Sequence, residues 1–239
     1  MNFEKINAPS LKALFVNSIL ERILSGELKP GDRFPSEREL AQQTGISRSI
    51  VNQGMMELES QGFVSIIPRR GNFVCDYRKH PTPQTLAAIM NYGSKELEPQ
   101  LFLDLMATRA LLEKESAKLA CKNIYQTTFE EMKEQIEILS DNPNLVVECL
   151  FKFHYCLTRA SGNVVYSMIY KGFEPVLRCL IEEHYKNRQD IEVTVQLHKE
   201  LLDAIESKDE EKSEKILMNI LDQGVGALKE SIYTKKSDK

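Results

Sequence analysis

Two helix starts, eleven residues apart, constrain this chain more than any other feature. Ser36-Glu37-Arg38-Glu39 is a capping box. The Ser36 hydroxyl accepts from the Glu39 amide, and the Glu39 side chain reaches back to the Ser36 amide. It opens a helix over 37–43 that stops at Thr44-Gly45. Ser47 then caps a second helix that runs to Gln61, with Gly62 just past its end. Only a three-residue turn lies between the two helices, so they must cross sharply and share a third packing partner. Leu11, Leu14, Phe15, Ile19 and Ile23 supply it, recurring at helical spacing until Ser25-Gly26 stops the run. Lys29-Pro30-Gly31-Asp32 is a turn.

The residues that follow change period. Phe63 to Ile67 and Asn72 to Cys75 have strand composition, joined by the turn Pro68-Arg69-Arg70-Gly71. Helix, short helix, turn, helix and hairpin make a winged helix-turn-helix. The polar residues fall where contact with DNA needs them. A recognition helix reads base edges with its N-terminal residues, here Ser47, Arg48 and Ser49, and Arg48 carries the planar fork that matches guanine. Arg33, Ser36 and Arg38 lie on or before the preceding helix, and Arg69, Arg70 and Gly71 form the tip of the wing. The bland alternative, a small α+β domain with solvated surface arginines, leaves this clustering without a reason.

Beyond residue 80 the chain reads as helix almost throughout. Tyr77-Arg78-Lys79-His80-Pro81-Thr82-Pro83 has the composition of a linker, since each proline turns the residue before it away from helix. The organisation expected is a DNA-binding head over 1–76, a linker over 77–83, a helical ligand-binding and dimerisation domain over 84–232, and a polar tail over 233–239. The fold class is mainly α, a winged helix-turn-helix followed by an all-α bundle. Leu145 to Ala160 is unusually apolar, Pro175 must kink or break the helical stretch Val164 to Lys186, and Asp209 caps the last helix. The formal net charge of −4 hides a split: residues 1–80 hold 11 Lys and Arg against 9 Asp and Glu, and the remainder holds 20 against 26.

The sequence Gly26-Glu27-Leu28-Lys29-Pro30-Gly31-Asp32-Arg33-Phe34-Pro35-Ser36-Glu37-Arg38-Glu39-Leu40-Ala41, with Gly45-Ile46-Ser47-Arg48, Gly62-Phe63-Val64 and Arg70-Gly71-Asn72-Phe73-Val74, resembles the GntR family of bacterial transcription regulators. One departure stands out. After Ser-Arg the family usually shows Val-Arg-Glu-Ala, and this chain has Val51-Asn52-Gln53-Gly54. Asn52 favours adenine, so a different operator is expected. Gly54 costs about 1 kcal/mol relative to Ala inside a helix, which leaves a close approach by a neighbouring helix as the reason to look for.

The second part resembles the helical FCD effector domain of the FadR branch, through Arg109-Ala110-Leu111-Leu112-Glu113, Phe153-His154 with Ala160-Ser161-Gly162-Asn163, and His198-Lys199-Glu200-Leu201-Leu202-Asp203-Ala204-Ile205. That resemblance implies a bundle around one ligand pocket, a homodimer, and a pocket built on Arg109, Leu150, His154, Tyr155, His198 and Ile220. Many FCD domains hold a divalent metal with an Asp, a His four residues on, and two later His. Here His154 and His198 match two of those positions, while Leu150 and Ile220 occupy the other two. Zinc normally takes at least three protein ligands, so no metal cofactor is expected. The alternative is a divalent metal such as zinc at His154 and His198. An effector with an apolar part, an organic acid or an acyl-type metabolite, suits the change. Arg109 has two readings of equal standing, a partner for an effector's carboxylate or phosphate and a salt bridge to Glu113.

Other functions find little support. There is no GxSxG elbow, HExxH pair or phosphate loop, and Gly224-Val225-Gly226 lies in a helical stretch with no strand before it, so an enzyme is not expected. The five cysteines are scattered and odd in number, which fits free thiols in a reducing cytoplasm. No window is long and apolar enough for a membrane span. The reading is therefore a cytoplasmic, nucleoid-associated repressor that binds a palindromic double-stranded DNA operator as a homodimer under a small-molecule effector. A ligand-independent DNA binder is the remaining alternative.

Overall fold

In the computed structural model of the chain, both capped starts open the helices expected of them. The structure describes residues 9–92, 97–123, 126–186 and 190–237, with side chains only to 224 in the last stretch. Helix α1 (Leu11–Leu24) begins at Ser10, whose hydroxyl accepts from the Ala13 amide. Its buried face is Phe15, Val16, Ile19, Leu20, Ile23 and Leu24. Leu11 and Leu14 belonged to the expected apolar stripe, yet both stay about half exposed. Helix α2 (Glu37–Thr44) carries the complete capping box and ends at Gly45 in the left-handed conformation, φ 71°. Helix α3 (Arg48–Ser60) is capped by Ser47.

Gly54 explains itself here. A Cβ at this position would lie 2.5 Å from Cδ1 of Phe15. The missing side chain lets α1 and α3 come together over that ring. Strands β1 (Val64–Ile67) and β2 (Gly71–Val74) pair antiparallel, with Val64 opposite Val74 and Ile67 opposite Gly71. Phe63, Val64 and Val74 are buried, closing the core from below α3 (β1 packs on it).

The chain divides later than the proline-rich segment suggests. Tyr77 is buried, its ring centroid 5.2 Å from that of Phe63, and the Arg78 guanidinium lies 5.1 Å from the same ring. Helix α4 (Pro83–Tyr92) packs on α1, and the Thr85 hydroxyl donates to the Gln61 carbonyl at 2.6 Å. Leu97 and Glu98 stay with the head too, the Glu98 amide donating to the Leu24 carbonyl. The segment expected as a linker, 77–83, is thus head structure. Composition suggested otherwise because prolines and charges conceal one buried aromatic anchor.

The second compact unit holds α5 (Pro99–Asn123), α6 (Gln126–Asp141), α7 (Val146–Ala160), α8 (Val164–Gly172), α9 (Glu174–Tyr185), α10 (Ile191–Glu206) and α11 (Glu210–Ser237). The apolar α7 is central, packed against α5, α6, α8 and α9. That position explains its composition: ten of its residues are buried, and a narrow polar stripe of Glu148, Lys152 and Arg159 is left to solvent. The Pro175 expectation resolves as a break at Phe173, with Pro175 in the first turn of α9 where its missing N–H costs nothing. Asp209 accepts from the Lys212 amide at 3.0 Å and caps α11. Lys114 and Lys118 of α5 both pair with Glu214 of α11. Helix α11 continues to Ser237, so the expected tail at 233–239 starts as helix, and residues 238–239 lie outside the described residues.

Candidate functional site

The head arranges its arginines with one consistent property. Arg33, Arg38, Arg48, Arg69 and Arg70 are all exposed, and none has a carboxylate within 4 Å among the described residues. The other described arginines do pair: Arg22 with Glu27, Arg78 with Glu98, Arg109 with Glu113, Arg159 with Glu131, and Arg178 with Glu148 and Glu174. Five unpaired guanidinium groups on the turn before α2, on α2, on α3 and on the wing form a surface without internal counter-ions. An anionic backbone supplies them.

The local structure holds these groups in place. Arg33 bridges to Phe73 of β2, and its guanidinium lies over Gly71, where a Cβ would come within 3.2 Å of Nε. Arg69 takes a left-handed conformation, φ 63°, at the wing tip, as the three-residue hairpin connection there requires. Ser36 and Ser47 turn out to be committed to capping. The Ser36 hydroxyl donates to the Glu39 carboxylate at 2.8 Å and accepts from the Glu39 amide, and Ser47 accepts from the Ile50 amide. The Ser36 amide, which also donates to the Glu39 carboxylate, and then the Ser36 hydroxyl hold that carboxyl below its ordinary value. Ser49 accepts from Gln53 at 3.5 Å, and Asn52 donates to Glu37 at 3.0 Å.

The helical unit contains a cavity lined by Arg109, Leu150, His154, His198 and Ile220, all expected there, together with Met106, His184 and Tyr185. Tyr155 does not line it. Its ring stacks on Phe151 instead, because the two residues are one turn apart on α7. Arg109 makes the salt bridge to Glu113 that is one of its two sequence readings, and the sequence reading missed only the second partner of the Glu113 carboxylate, His154. Glu113 is fully buried and accepts from Arg109 Nε on one oxygen and from His154 Nδ1 on the other, both at 2.5 Å. The signal for the first contact was its place four residues after Arg109, on the same face. Burial pushes its carboxyl up, but Arg109 and His154 more than offset this and hold it at about 2. Tyr170, buried beside the same pair, has its phenol raised well above its ordinary value by burial and by the Glu113 charge.

The histidine tautomers follow from their acceptors. The Thr194 carbonyl takes the Nδ1 proton of His198 at 2.7 Å, and the Glu113 carboxylate takes that of His154. The two Nε2 atoms then face each other at 3.3 Å. Burial, and then the neighbouring His154, lower His198 to about 3, so its ring is neutral. Arg109 and Glu113 form a buried ion pair, and His154 shares the same carboxylate.

A metal fits this set poorly. Two Nε2 atoms at 3.3 Å have the spacing of two ligands on one tetrahedral zinc, at Zn–N of about 2.0–2.1 Å. The places beside them are Leu150 and Ile220, and no group of three His, Cys, Asp or Glu able to hold a metal occurs among the described residues. Two donors are too few for a site that takes three or four.

A winged helix-turn-helix head with a free basic face, joined in one chain to a helical unit around a charged cavity, defines a ligand-responsive DNA-binding regulator. Comparison with known proteins agrees. The model of the bacterial regulatory proteins of the gntR family matches residues 15–74, and that of the FCD domain matches residues 104–223. The chain belongs to the FCD-domain members of the GntR family. It is 26% identical over 199 residues to an Escherichia coli K12 protein named for regulation of the L-lactate dehydrogenase operon, covering 80% of this chain and 76% of that one. It is 24% identical over 206 residues to the fatty acid metabolism regulator protein of Proteus mirabilis, covering 86% and 85%. The solved structure of Escherichia coli McbR/YncC shares the fold, at a TM-score of 0.53 and 21% identity over 94% of this chain and 100% of that one. These are transcription regulators rather than enzymes. Among the described residues no helix is long and apolar enough to cross a membrane.

Proposed function

We propose that the protein is a cytoplasmic, nucleoid-associated repressor that binds a palindromic operator as a homodimer, and that a small organic anion in the α5–α7–α9–α10–α11 cavity controls it without a metal. The observation that carries the ligand reading is the Arg109 guanidinium, held by Glu113 through Nε at the wall of a cavity that also presents His154, His198 and several leucines and isoleucines. Its remaining N–H donors suit an effector carboxylate. Size narrows the choice further. One water needs roughly 10–15 Å³, and the cavity measures about 60 Å³ on that scale. A short organic acid fits this space, and the lactate-operon name of one relative supports that reading.

The mechanism is a population shift. The effector binds one arrangement of the two heads better than the other, and the operator does the same. A two-fold dimer presents α3 to two half-sites, hence the palindrome. Fluorescence anisotropy on palindromic duplexes from the region upstream of the protein's own gene, with and without short organic acids, tests this. Salt-sensitive binding that an acid weakens is expected. Absence of binding overturns the reading, and binding indifferent to every acid points to a ligand-independent DNA binder.

The Nε2–Nε2 spacing favours a second reading, a metal-dependent sensor of organic acids. It requires that zinc stabilise the protein and that a chelator abolish the acid response.

A further inference from the structure

Helix α3 presents an amide whose orientation is fixed by chemistry. Asn52 is exposed, in the second turn of the helix, and its Nδ2 donates to Glu37 Oε1 at 3.0 Å. A carboxylate has no proton to give, so the nitrogen of the Asn52 amide, and never its oxygen, must face Glu37. Glu37 opens α2, where a negative charge is favoured by the positive end of the helix. The acceptor is therefore held independently of any DNA. What remains on Asn52 for a partner is one N–H and the oxygen Oδ1, side by side.

That pair has one complement among the major-groove edges. Adenine offers an acceptor at N7 beside a donor at N6, while guanine offers two acceptors, N7 and O6. An amide locked with one donor and one acceptor outward satisfies adenine on both atoms and leaves its oxygen facing the oxygen of guanine. Arg48 lies four residues earlier on the same helix face and offers two donors, the complement of guanine.

We infer that Asn52, oriented by Glu37, selects an adenine in the operator beside a guanine selected by Arg48, and that Glu37 is a positioning residue that sharpens this choice without touching DNA. The inference rests on the DNA-binding reading above. Because the amide arrives already oriented, discrimination at that base pair depends on a residue of the neighbouring helix.

The test is selection of duplexes from a randomised pool by the full-length protein, followed by anisotropy competition with single base-pair changes. For the wild type, replacing the selected A·T pair with G·C is expected to weaken binding about 5- to 150-fold. Asn52→Ala flattens that position and leaves the others sharp. Glu37→Ala reduces the discrimination severalfold while overall affinity falls less. Asn52→Arg moves the preference to guanine. Thermal melts check that the variants fold. Should Glu37→Ala not fold, Glu37→Gln replaces it, since a glutamine can meet the amide in either orientation and removes the lock. A sharp wild-type site whose profile survives Asn52→Ala unchanged, or full discrimination in the Glu37 variant, overturns this inference alone. Absence of any salt-sensitive duplex binding overturns the regulator reading and this inference with it.

Discussion

Glu113 and His154 share a buried contact of 2.5 Å, between Oε2 and Nδ1, while the other Glu113 oxygen holds Arg109. The carboxylate thus links α5 to α7 at the cavity wall, where Arg109 and His154 both hydrogen-bond to it and have little water to turn to. Removing one partner of a buried ion pair costs roughly 3–5 kcal/mol. Glu113→Gln is expected to destabilise the protein by about that amount, read by urea unfolding at pH 7. A loss below about 1 kcal/mol would show that the trio is solvated.

The same residue sets a dependence on acid. Its folded value of about 2 lies below the ordinary 4.5, so its contribution is complete above about pH 4.5 and is lost as pH falls towards 2. The shift corresponds to about 3 kcal/mol. The difference in stability between wild type and Glu113→Gln should therefore shrink across this window. A constant difference down to pH 2 contradicts the assignment.

His198 acts earlier in the titration. Its folded value of about 3 lies below the ordinary 6.5, because burial favours the neutral ring. Its contribution is present above about pH 6.5 and falls away below it. The wild type should lose stability from pH 6.5 downward, whereas His198→Gln should be flat until the carboxylates begin to titrate. Unfolding midpoints measured between pH 7 and 4.5 separate the two.

At Gly54 two opposing effects can be weighed. Alanine would improve helix propensity by about 1 kcal/mol, but its methyl group would stand 2.5 Å from the Phe15 ring. Overpacking costs of about 1–3 kcal/mol are typical, so Gly54→Ala should lower the melting temperature. Phe15→Leu in the same chain should recover part of the loss. A stabilised Gly54→Ala would mean that α1 and α3 are not in close contact there.

These cases also show what was legible in the sequence. The head was readable down to its caps because each signal is local: Ser36 and Glu39 are three residues apart, and Ser47 bonds within its own first turn. Tyr77 and α4 were misplaced because their burial depends on Phe63 and Gln61, far along the chain, with prolines in between. In the sensor, α7 stood out by composition and Arg109, His154 and His198 by their surroundings. The second partner of Glu113 was hidden, since α5 and α7 must pack together before a helical i, i+4 pair becomes the bridge between an arginine and a histidine. Tyr155 was assigned to the cavity for its neighbour His154, though adjacent residues on a helix point about 100° apart.

The donor count at the cavity gives its own test. Leu150 precedes His154 by four residues and lines the same space. Leu150→Asp would add a third ligand on that face, so zinc should raise the melting temperature of this variant by several degrees and leave the wild type unmoved. Stabilisation of the wild type by zinc would restore the metal-dependent reading.

One titration tests metal-free control by an organic acid most directly. Full-length protein bound to its palindromic duplex is followed by anisotropy in chelator-containing buffer while a short organic acid is added. The account predicts that the acid weakens DNA binding at least tenfold with the chelator present, and that Arg109→Met abolishes the response while DNA binding without acid persists. A response that vanishes in chelator and returns with zinc would contradict it.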